Sequence, residues 1–393
     1  MHVYTSVLIL LVLLVVLPDL YLYNRFMRNR TNHSTSILHG IISIYFIIVS
    51  LAIMLNINNI YSTDTSYRLI MFITVLGAVY IPKLIFCTFD LLFFLTKKRW
   101  RWIQRLGYVA AFIAISSILH SVAYERFNFK KRDVAIEIEN LPSAFENYKI
   151  IQISDMHLGS FGLSQKRLIP LMDSINAQNP DLIVFTGDMI NNFATECNNW
   201  SEIFNRLNSS TNKLAVLGNH DYSIYFKWEN EDLRSMNSMA VRQKIRDFGF
   251  KLLLNESQII HKENDSIAII GIGNWGRRPS SRHADIDKAI IGTQNIDTKI
   301  LLSHDPTFWK DSICGIYDID LTLSGHTHAA QTGIDLGKLK ISPAKILFEY
   351  WDGLYEHNNQ KLFVSRGIGC VGIPARIGMG PLYEVITLKK KQP

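Results

Sequence analysis

Long uninterrupted apolar runs confined to the first third of the chain restrict this sequence more than any other feature. Four segments reach the ~20 mostly apolar residues that a helix needs to cross a hydrocarbon core. They cover about residues 4–23, around the run VLILLVLLVVL, and then 37–57, 69–95 and 106–123. A cleaved secretory leader is the rival reading of the first. The segment has no basic n-region and no small-residue cleavage site, and three further spans follow it, so an uncleaved helix is expected.

Charge follows the same division. The net charge of +7 is concentrated around the spans, in Arg25, Arg28 and Arg30, in Lys97, Lys98, Arg99, Arg101 and Arg105, and in Arg126, Lys130, Lys131 and Arg132. Basic residues there serve topology and lipid headgroups, so a membrane surface and not a nucleic acid is the expected partner. The first and third connections carry eight basic residues against five on the opposite face. That bias places those connections in the cytoplasm and the chain's C-terminal part outside. Within the spans, Lys83 and Asp90 lie two helical turns apart, allowing an interhelical pair with Asp19, and a structural pairing is preferred over an ion path. The four cysteines, Cys87, Cys197, Cys314 and Cys370, show no CxxC spacing, which argues against a disulfide framework or a thiolate zinc site.

From about Val134 short β-runs alternate with helical stretches. Strands are expected at 134–139, 148–153, 181–186, 213–217, 250–254, 266–271, 298–303, 319–323, 361–365 and 383–388, and helices at 164–178, 199–208, 230–247 and 306–312. This is the grammar of a layered α/β domain. The later strands lack long intervening helices, which suggests a second, antiparallel part. The chain thus divides into a membrane region (1–125), a basic membrane-proximal linker (126–133) and a layered α/β domain (134–393).

Five short strings each follow an apolar strand, at the carboxyl edge where open α/β sheets bind ligands. Ser154-Asp155-Met156-His157 follows KIIQI, and an Asp and a His one residue apart can reach one metal from a single turn. Thr186-Gly187-Asp188 follows DLIVF, and Asp188 can bridge two cations with its two oxygens. In Gly218-Asn219-His220-Asp221, after KLAVL, Asn219 offers a neutral carbonyl ligand. His220 can sit above the metals without binding them, oriented by Asp221 through its other ring nitrogen. His304 follows ILLS, and Gly325-His326-Thr327-His328 follows DLTLS. Taken singly, each string is also a common turn or cap. Together they supply imidazole, carboxylate and amide ligands with no soft sulfur, a set suited to Mn, Fe or Zn.

This constellation resembles the calcineurin-like metallophosphoesterase superfamily, with its pattern D-x-H, G-D, G-N-H-[D/E], H, G-H-x-H, over 134–393. The intervals from His157 to Asp188 and from Asp188 to Asn219 are 31 residues each. The wider context is similar to the membrane-anchored bacterial branch. The resemblance implies a four-layer α-β-β-α sandwich preceded by four transmembrane helices. It implies two divalent metal ions, one held by Asp155, His157, Asp188 and His328, the other by Asp188, Asn219, His304 and His326. His220, with Asp221, would assist catalysis. The sequence departs from the branch at Ala329 and Ala330, where G-H-T-H-G-G-Q is common, and near the end, where a Pro-Glu-Ile run is replaced.

The implied activity is hydrolysis of phosphate ester or pyrophosphate bonds, with lipid-linked phosphates and membrane lipids as expected partners and the bacterial inner membrane as location. A cytoplasm-facing pyrophosphatase of the UDP-2,3-diacylglucosamine type, from lipid A synthesis, is the second reading. A non-catalytic membrane sensor is the third. Trp275, Arg277, Arg366 and Arg376 are further candidates for substrate contact.

Overall fold

The computed structural model describes residues 12–29, 33–56, 63–162, 164–208, 212–276, 281–337 and 339–392. It forms two compact units, residues 1–123 and 124–393.

The first unit is helical. Ser34–Asn56, Thr63–Leu95 and Arg101–Ala123 are continuous α-helices, and Thr63–Leu95 contains Pro82. Among the described residues, three helical segments are long and apolar enough to cross a membrane: Ser34–Ile53, Asp64–Leu95 and Arg101–Phe127. They leave large aliphatics such as Ile41, Ile48 and Ile113 exposed, as helices in hydrocarbon do. The expected first span lies partly outside the described residues. From Val12 to Met27 its remainder is helical, with π-helical turns at Val12–Val16 and Tyr23–Met27 around Leu17–Leu22.

Asp19 does pair with Lys83, Oδ1 to Nζ at 2.8 Å, and accepts hydrogen bonds from Tyr80 and Ser43 on its other oxygen. Asp90 belongs to a separate group: it pairs with Arg25 at 3.0 Å and accepts from Tyr21 and Gln104. Both carboxylates are buried with every oxygen engaged, so they lock helix to helix.

Among the described residues the second unit has fourteen strands. In chain order they are β1 (Lys130–Ile138), β2 (Lys149–Ile153), β3 (Leu182–Phe185), β4 (Asn212–Ala215), β5 (Lys251–Leu252), β6 (Glu256–Lys262) and β7 (Asp265–Gly271). Then come β8 (Lys299–Leu302), β9 (Leu321–Ser324), β10 (Ile334–Asp335), β11 (Lys340–Ile341), β12 (Gly353–His357), β13 (Gln360–Val364) and β14 (Leu382–Lys390). They form two six-stranded sheets, ordered β1-β14-β2-β3-β4-β5 and β12-β13-β9-β8-β7-β6, and the hairpin β10-β11.

Strand alternation gives each central strand two buried faces, which is why these runs are apolar throughout. Ile150, Leu182, Val184 and Leu214 of the first sheet share a core with Ile267, Ile269, Ile300, Leu302 and Leu323 of the second. The other face of the first sheet, with Ile151, Ile183 and Phe185, packs on Leu171, Met172 and Ile175 of the helix Ile169–Asn176 and on Val241 and Ile245 of the helix Glu231–Asp247.

Two expectations change. The second sheet is not an antiparallel addition: β13, β9, β8 and β7 run parallel, and only its edge strands β12 and β6 are antiparallel. Parallel strands need a crossover, and between β8 and β9 a short helical stretch with the π-helical turn Trp309–Ile313 provides it, packing Phe308, Trp309 and Ile313 on that sheet. The stretch 126–133 is also not a free linker, because Lys130–Ile138 is the edge strand β1. Arg126 is buried and donates to the Ser160 carbonyl at 2.9 Å. Arg132 bridges Asp352 and Glu384 at 2.8 and 2.7 Å. Those cations are consumed inside the domain.

Candidate metal centre

The five strings leave the carboxyl ends of β2, β3 and β4 in one sheet and β8 and β9 in the other. All seven expected ligand residues meet there. The donor atoms form two groups, Asp155, His157, Asp188 and His328, and Asp188, His304 and His326, with the atoms of each group within 4.8 Å of one another. Asp188 belongs to both. Asn219 joins the second group, its Oδ1 lying 3.0 Å from His304 Nε2.

The backbone turns sharply to bring these side chains inward. Asp155, His157, Asp188, His326 and His328 all take positive φ, between 40° and 75°. Side-chain-bearing residues adopt that conformation at a cost of order 1–3 kcal/mol each, and such strain clusters at functional sites. Gly187 has φ 96°, and a Cβ there would stand 2.5 Å from the Gly218 nitrogen and 2.8 Å from His304 Nδ1. At Gly325 a Cβ would stand 2.4 Å from Asp155 Oδ2. Gly187 lets its turn close on the Gly218 backbone and the His304 ring, and Gly325 lets the other sheet's turn close on Asp155.

Ala329 and Ala330, which occupy the positions of the branch's paired glycines, also sit in the left-handed region, with φ 48° and 51°. A left-handed alanine costs ~1–2 kcal/mol, and glycine loses part of that gain through its greater unfolded freedom. Ala329 is packed against Trp351 and Met379, whereas Ala330 is only partly buried. Ala330→Gly is therefore expected to stabilise the domain by ~0.5–1 kcal/mol, read as a rise of roughly 2 °C in Tm by calorimetry. An unchanged or lowered Tm would contradict the strain reading.

Hydrogen bonds assign the ring nitrogens. His157 Nδ1 lies 3.0 Å from the Ile190 carbonyl and His304 Nδ1 lies 2.8 Å from the Thr186 carbonyl. A carbonyl only accepts, so each Nδ1 carries the proton and each Nε2 presents a lone pair. His157 Nε2 then faces His328 Nε2 at 3.1 Å and Asp188 Oδ2 at 3.5 Å. His304 Nε2 faces Asp188 Oδ2 at 3.1 Å and His326 Nδ1 at 3.2 Å. Lone pairs converging on carboxylates in a buried space repel unless a cation lies between them, so these residues fit a metal site. Burial, with His220 and His328 nearby, holds the His157 ring well below its ordinary pKa and so neutral. Burial opposes protonation of His304, but the Asp188 and Asp155 carboxylates push it up to about 10, so a proton on Nε2 is the substitute for the cation that the lone pair would otherwise bind.

His220 stacks edge-on against His157, and its Nδ1 donates to the Asn191 carbonyl at 2.6 Å. The expected Asp221–His220 ring contact is therefore corrected. The Asp221 carboxylate instead accepts backbone N–H bonds from Asp188 at 2.9 Å, Met189 at 2.8 Å and Gly218 at 2.9 Å. It is a positioning residue that ties the Asp188 turn to the Asn219 turn. Burial and the neighbouring Asp188 charge push its carboxyl up to about 7 against those donors. Removing it strands three buried donors, each worth ~1–3 kcal/mol. Asp221→Ala is expected to lower Tm by roughly 10 °C and to weaken metal retention, measured on purified protein by calorimetry and elemental analysis.

Arg366 and Arg376 are also corrected. Arg366 pairs with Asp352 and Asp335, and Arg376 is fully buried and donates to the carbonyls of Gly369 and Arg366. Neither is available to a phosphate. Trp275 packs on Phe308 and beneath Arg282, lining a separate shallow surface, and Arg277 lies outside the described residues.

Two contributors had no legible signal in the sequence. The Tyr225 hydroxyl accepts from Asn219 Nδ2 at 2.8 Å, which turns the Asn219 oxygen toward His304, and its ring stacks on His220 at 4.3 Å. Glu196 is buried and accepts N–H bonds from Gly159, Asn191, Asn192 and Phe193, shaping the loop whose Asn191 carbonyl holds His220. Beside the centre lies a cavity of about 900 Å³ lined by Asn219, Tyr225, Arg234, His326, Leu347 and Phe348 among others.

Two sheets whose turns bring a shared carboxylate between two clusters of imidazoles form a candidate site for two cations, and comparison with known proteins specifies the family. The family description calcineurin-like phosphoesterase matches residues 148–330. An uncharacterized metallophosphoesterase of Aquifex aeolicus is 30% identical over 272 residues, 68% of this chain and 94% of that protein. One from Campylobacter jejuni is 26% identical over 385 residues, 96% of each chain. A transmembrane protein with metallophosphoesterase domain from Danio rerio is 28% identical over 262 residues, 66% of this chain and 57% of its own length. The chain belongs to the calcineurin-like metallophosphoesterase family.

Proposed function

We propose that this protein is a membrane-anchored, binuclear metal-dependent phosphohydrolase that cleaves phosphate ester or pyrophosphate bonds, with lipid-linked phosphates as its substrates. The observation that carries the reading is the shared Asp188, with imidazole lone pairs converging on it from both sides. Asp155, His157, Asp188 and His328 would hold one cation, and Asp188, Asn219, His304 and His326 the other. Two such cations, when bound, supply Lewis-acid clamping of the phosphoryl oxygens and a water of lowered pKa.

The remaining work falls to the chain's own groups. Asp221 fixes the two turns that carry Asp188 and Asn219. His220, held through Nδ1 by the Asn191 carbonyl, keeps Nε2 as the nitrogen that can serve the leaving oxygen. The retained ligand set favours catalysis over a sensor role. The inferred anchor comprises the three helices and a fourth span at 4–23, and the two sheets with their flanking helices read as the four-layer sandwich.

The test is hydrolysis of bis-p-nitrophenyl phosphate by the purified full chain in detergent. Chelation with EDTA should abolish turnover, and Mn²⁺ should restore it. Chelator-resistant turnover, or none with any of Mn, Fe or Zn, would count against the reading. Basic-residue bias supports an outward-facing domain, and a periplasm-sensitive reporter fused after Pro393 distinguishes it from the cytoplasmic alternative.

A further inference from the structure

The hairpin β10-β11 and the short helix Ala344–Leu347 are built inside out. In the hairpin Ile334 pairs with Ile341 and Asp335 with Lys340, and the Leu336 N–H bonds to the Leu339 carbonyl. Directly paired and i, i+2 residues share a face, so Ile334, Leu336, Leu339 and Ile341 line one side and Asp335 and Lys340 the other. The charged side is the one turned to the domain. Asp335 pairs with Arg366 at 2.8 Å, and Lys340 pairs with the buried Asp352 at 2.5 Å. Burial opposes ionisation of Asp352, but Arg132 and Arg366 hold it well below the usual carboxylate range.

The apolar side faces outward. Leu336 is 70% exposed, Leu339 and Ile341 are each 55% exposed, and Ile346 on the following helix is 87% exposed. The following helix reaches the mouth of the candidate site, because Leu347 and Phe348 line the same cavity as His326, and the Phe348 ring stands 5.6 Å from the His326 ring.

We propose that this apolar face is a membrane-docking surface: it inserts into the interface of a lipid bilayer and so presents the site's mouth to phosphate headgroups. The proposal rests on the reading of the first unit as membrane spans. Three observations choose a bilayer as the occupant. The soluble unit begins at Tyr124, directly after the helix Arg101–Ala123, so the chain itself supplies a bilayer at high effective concentration. The segment 336–347, LGKLKISPAKIL, carries Lys338 and Lys345 besides the internally paired Lys340, and no acidic residue, the composition that anionic interfaces attract. Lysine is depleted at protein–protein interfaces, which disfavours a second copy of the chain. Each leucine or isoleucine moved from water gains ~1.5–3 kcal/mol, so a few side chains suffice for a tethered domain.

The experiment uses the full chain in phosphatidylcholine–phosphatidylglycerol vesicles. Leu336→Cys, in a Cys87→Ser/Cys314→Ser background, is labelled with bimane. Quenching by lipid-borne nitroxide and protection from aqueous iodide are the expected results. Iodide access without nitroxide quenching would overturn the proposal. Protection from both quenchers would also overturn it, in favour of a protein occupant.

In parallel, Leu336→Ser/Leu339→Ser/Ile346→Ser should leave hydrolysis of bis-p-nitrophenyl phosphate unchanged. Turnover of a phosphatidic-acid probe within the vesicles should fall at least ~10-fold, the loss of about 1.4 kcal/mol or more of docking. Equal turnover of the vesicle probe by variant and parent would sink the docking face. The bimane readout needs no turnover, so failure of the docking and failure of the phosphohydrolase reading are seen separately.

Discussion

Asp188→Ala is expected to purify with less than half of the wild-type metal content and to hydrolyse bis-p-nitrophenyl phosphate at least ~10³-fold more slowly. That factor corresponds to ~4 kcal/mol, in the range that two-metal charge stabilisation contributes. Asp188 is singled out because its Oδ2 faces both His157 and His304, so its loss disrupts both ligand groups. Its Oδ1 also accepts the His220 backbone N–H at 2.9 Å, so the loop above the site loosens with it. Elemental analysis and turnover at saturating Mn²⁺ check the expectation. A metal-replete Asp188→Ala protein with wild-type turnover would end the binuclear assignment.

The second large effect separates chemistry from binding. His220 touches the ligand His157 but is in neither ligand group, and its ring is held by a backbone carbonyl. His220→Ala should therefore keep both metals while kcat falls ~10²–10⁴-fold, the usual contribution of a positioned proton-transfer group. The loss should be smaller for substrates whose leaving group is already acidic, because those need less help with the departing oxygen. Equal losses for nitrophenyl and alkyl leaving groups would reassign His220 to positioning. Asp221→Ala supplies the contrast: its failure should show in Tm and metal retention, since its carboxylate holds backbone rather than the His220 ring.

Much of this protein is legible in its sequence. A metal ligand placed two to four residues beyond an apolar strand is local chemistry. Asp155, Asp188, Asn219, His304 and His328 all sit where their strings placed them, at strand ends. Three of the four expected apolar helices are likewise found among the described residues, because a run of ~20 apolar residues is legible from composition alone. Four strands were missed: the two-residue strands β10 and β11 of the hairpin, and β6 and β12, the edge strands of the second sheet. One face of such a strand is wet, so its alternation is diluted by polar residues such as Gln258 and Glu356.

The roles of charged and polar side chains were decided by tertiary structure. Arg366 and Arg376 resemble phosphate readers in the sequence, yet burial made them internal donors to Asp352 and to backbone carbonyls. Asp221 is adjacent to His220, but the shape of two separate turns gave its oxygens to three N–H groups instead. His157 and His328, 171 residues apart, are brought to 3.1 Å only because two sheets stack with their carboxyl edges aligned. The hairpin's apolar side is outward only because Asp335 and Lys340 found partners within the domain. Strand ends and spans are specified by neighbours along the chain, which the sequence displays. Which way a charged side chain turns depends on partners tens to hundreds of residues away, and only the packed fold supplies them.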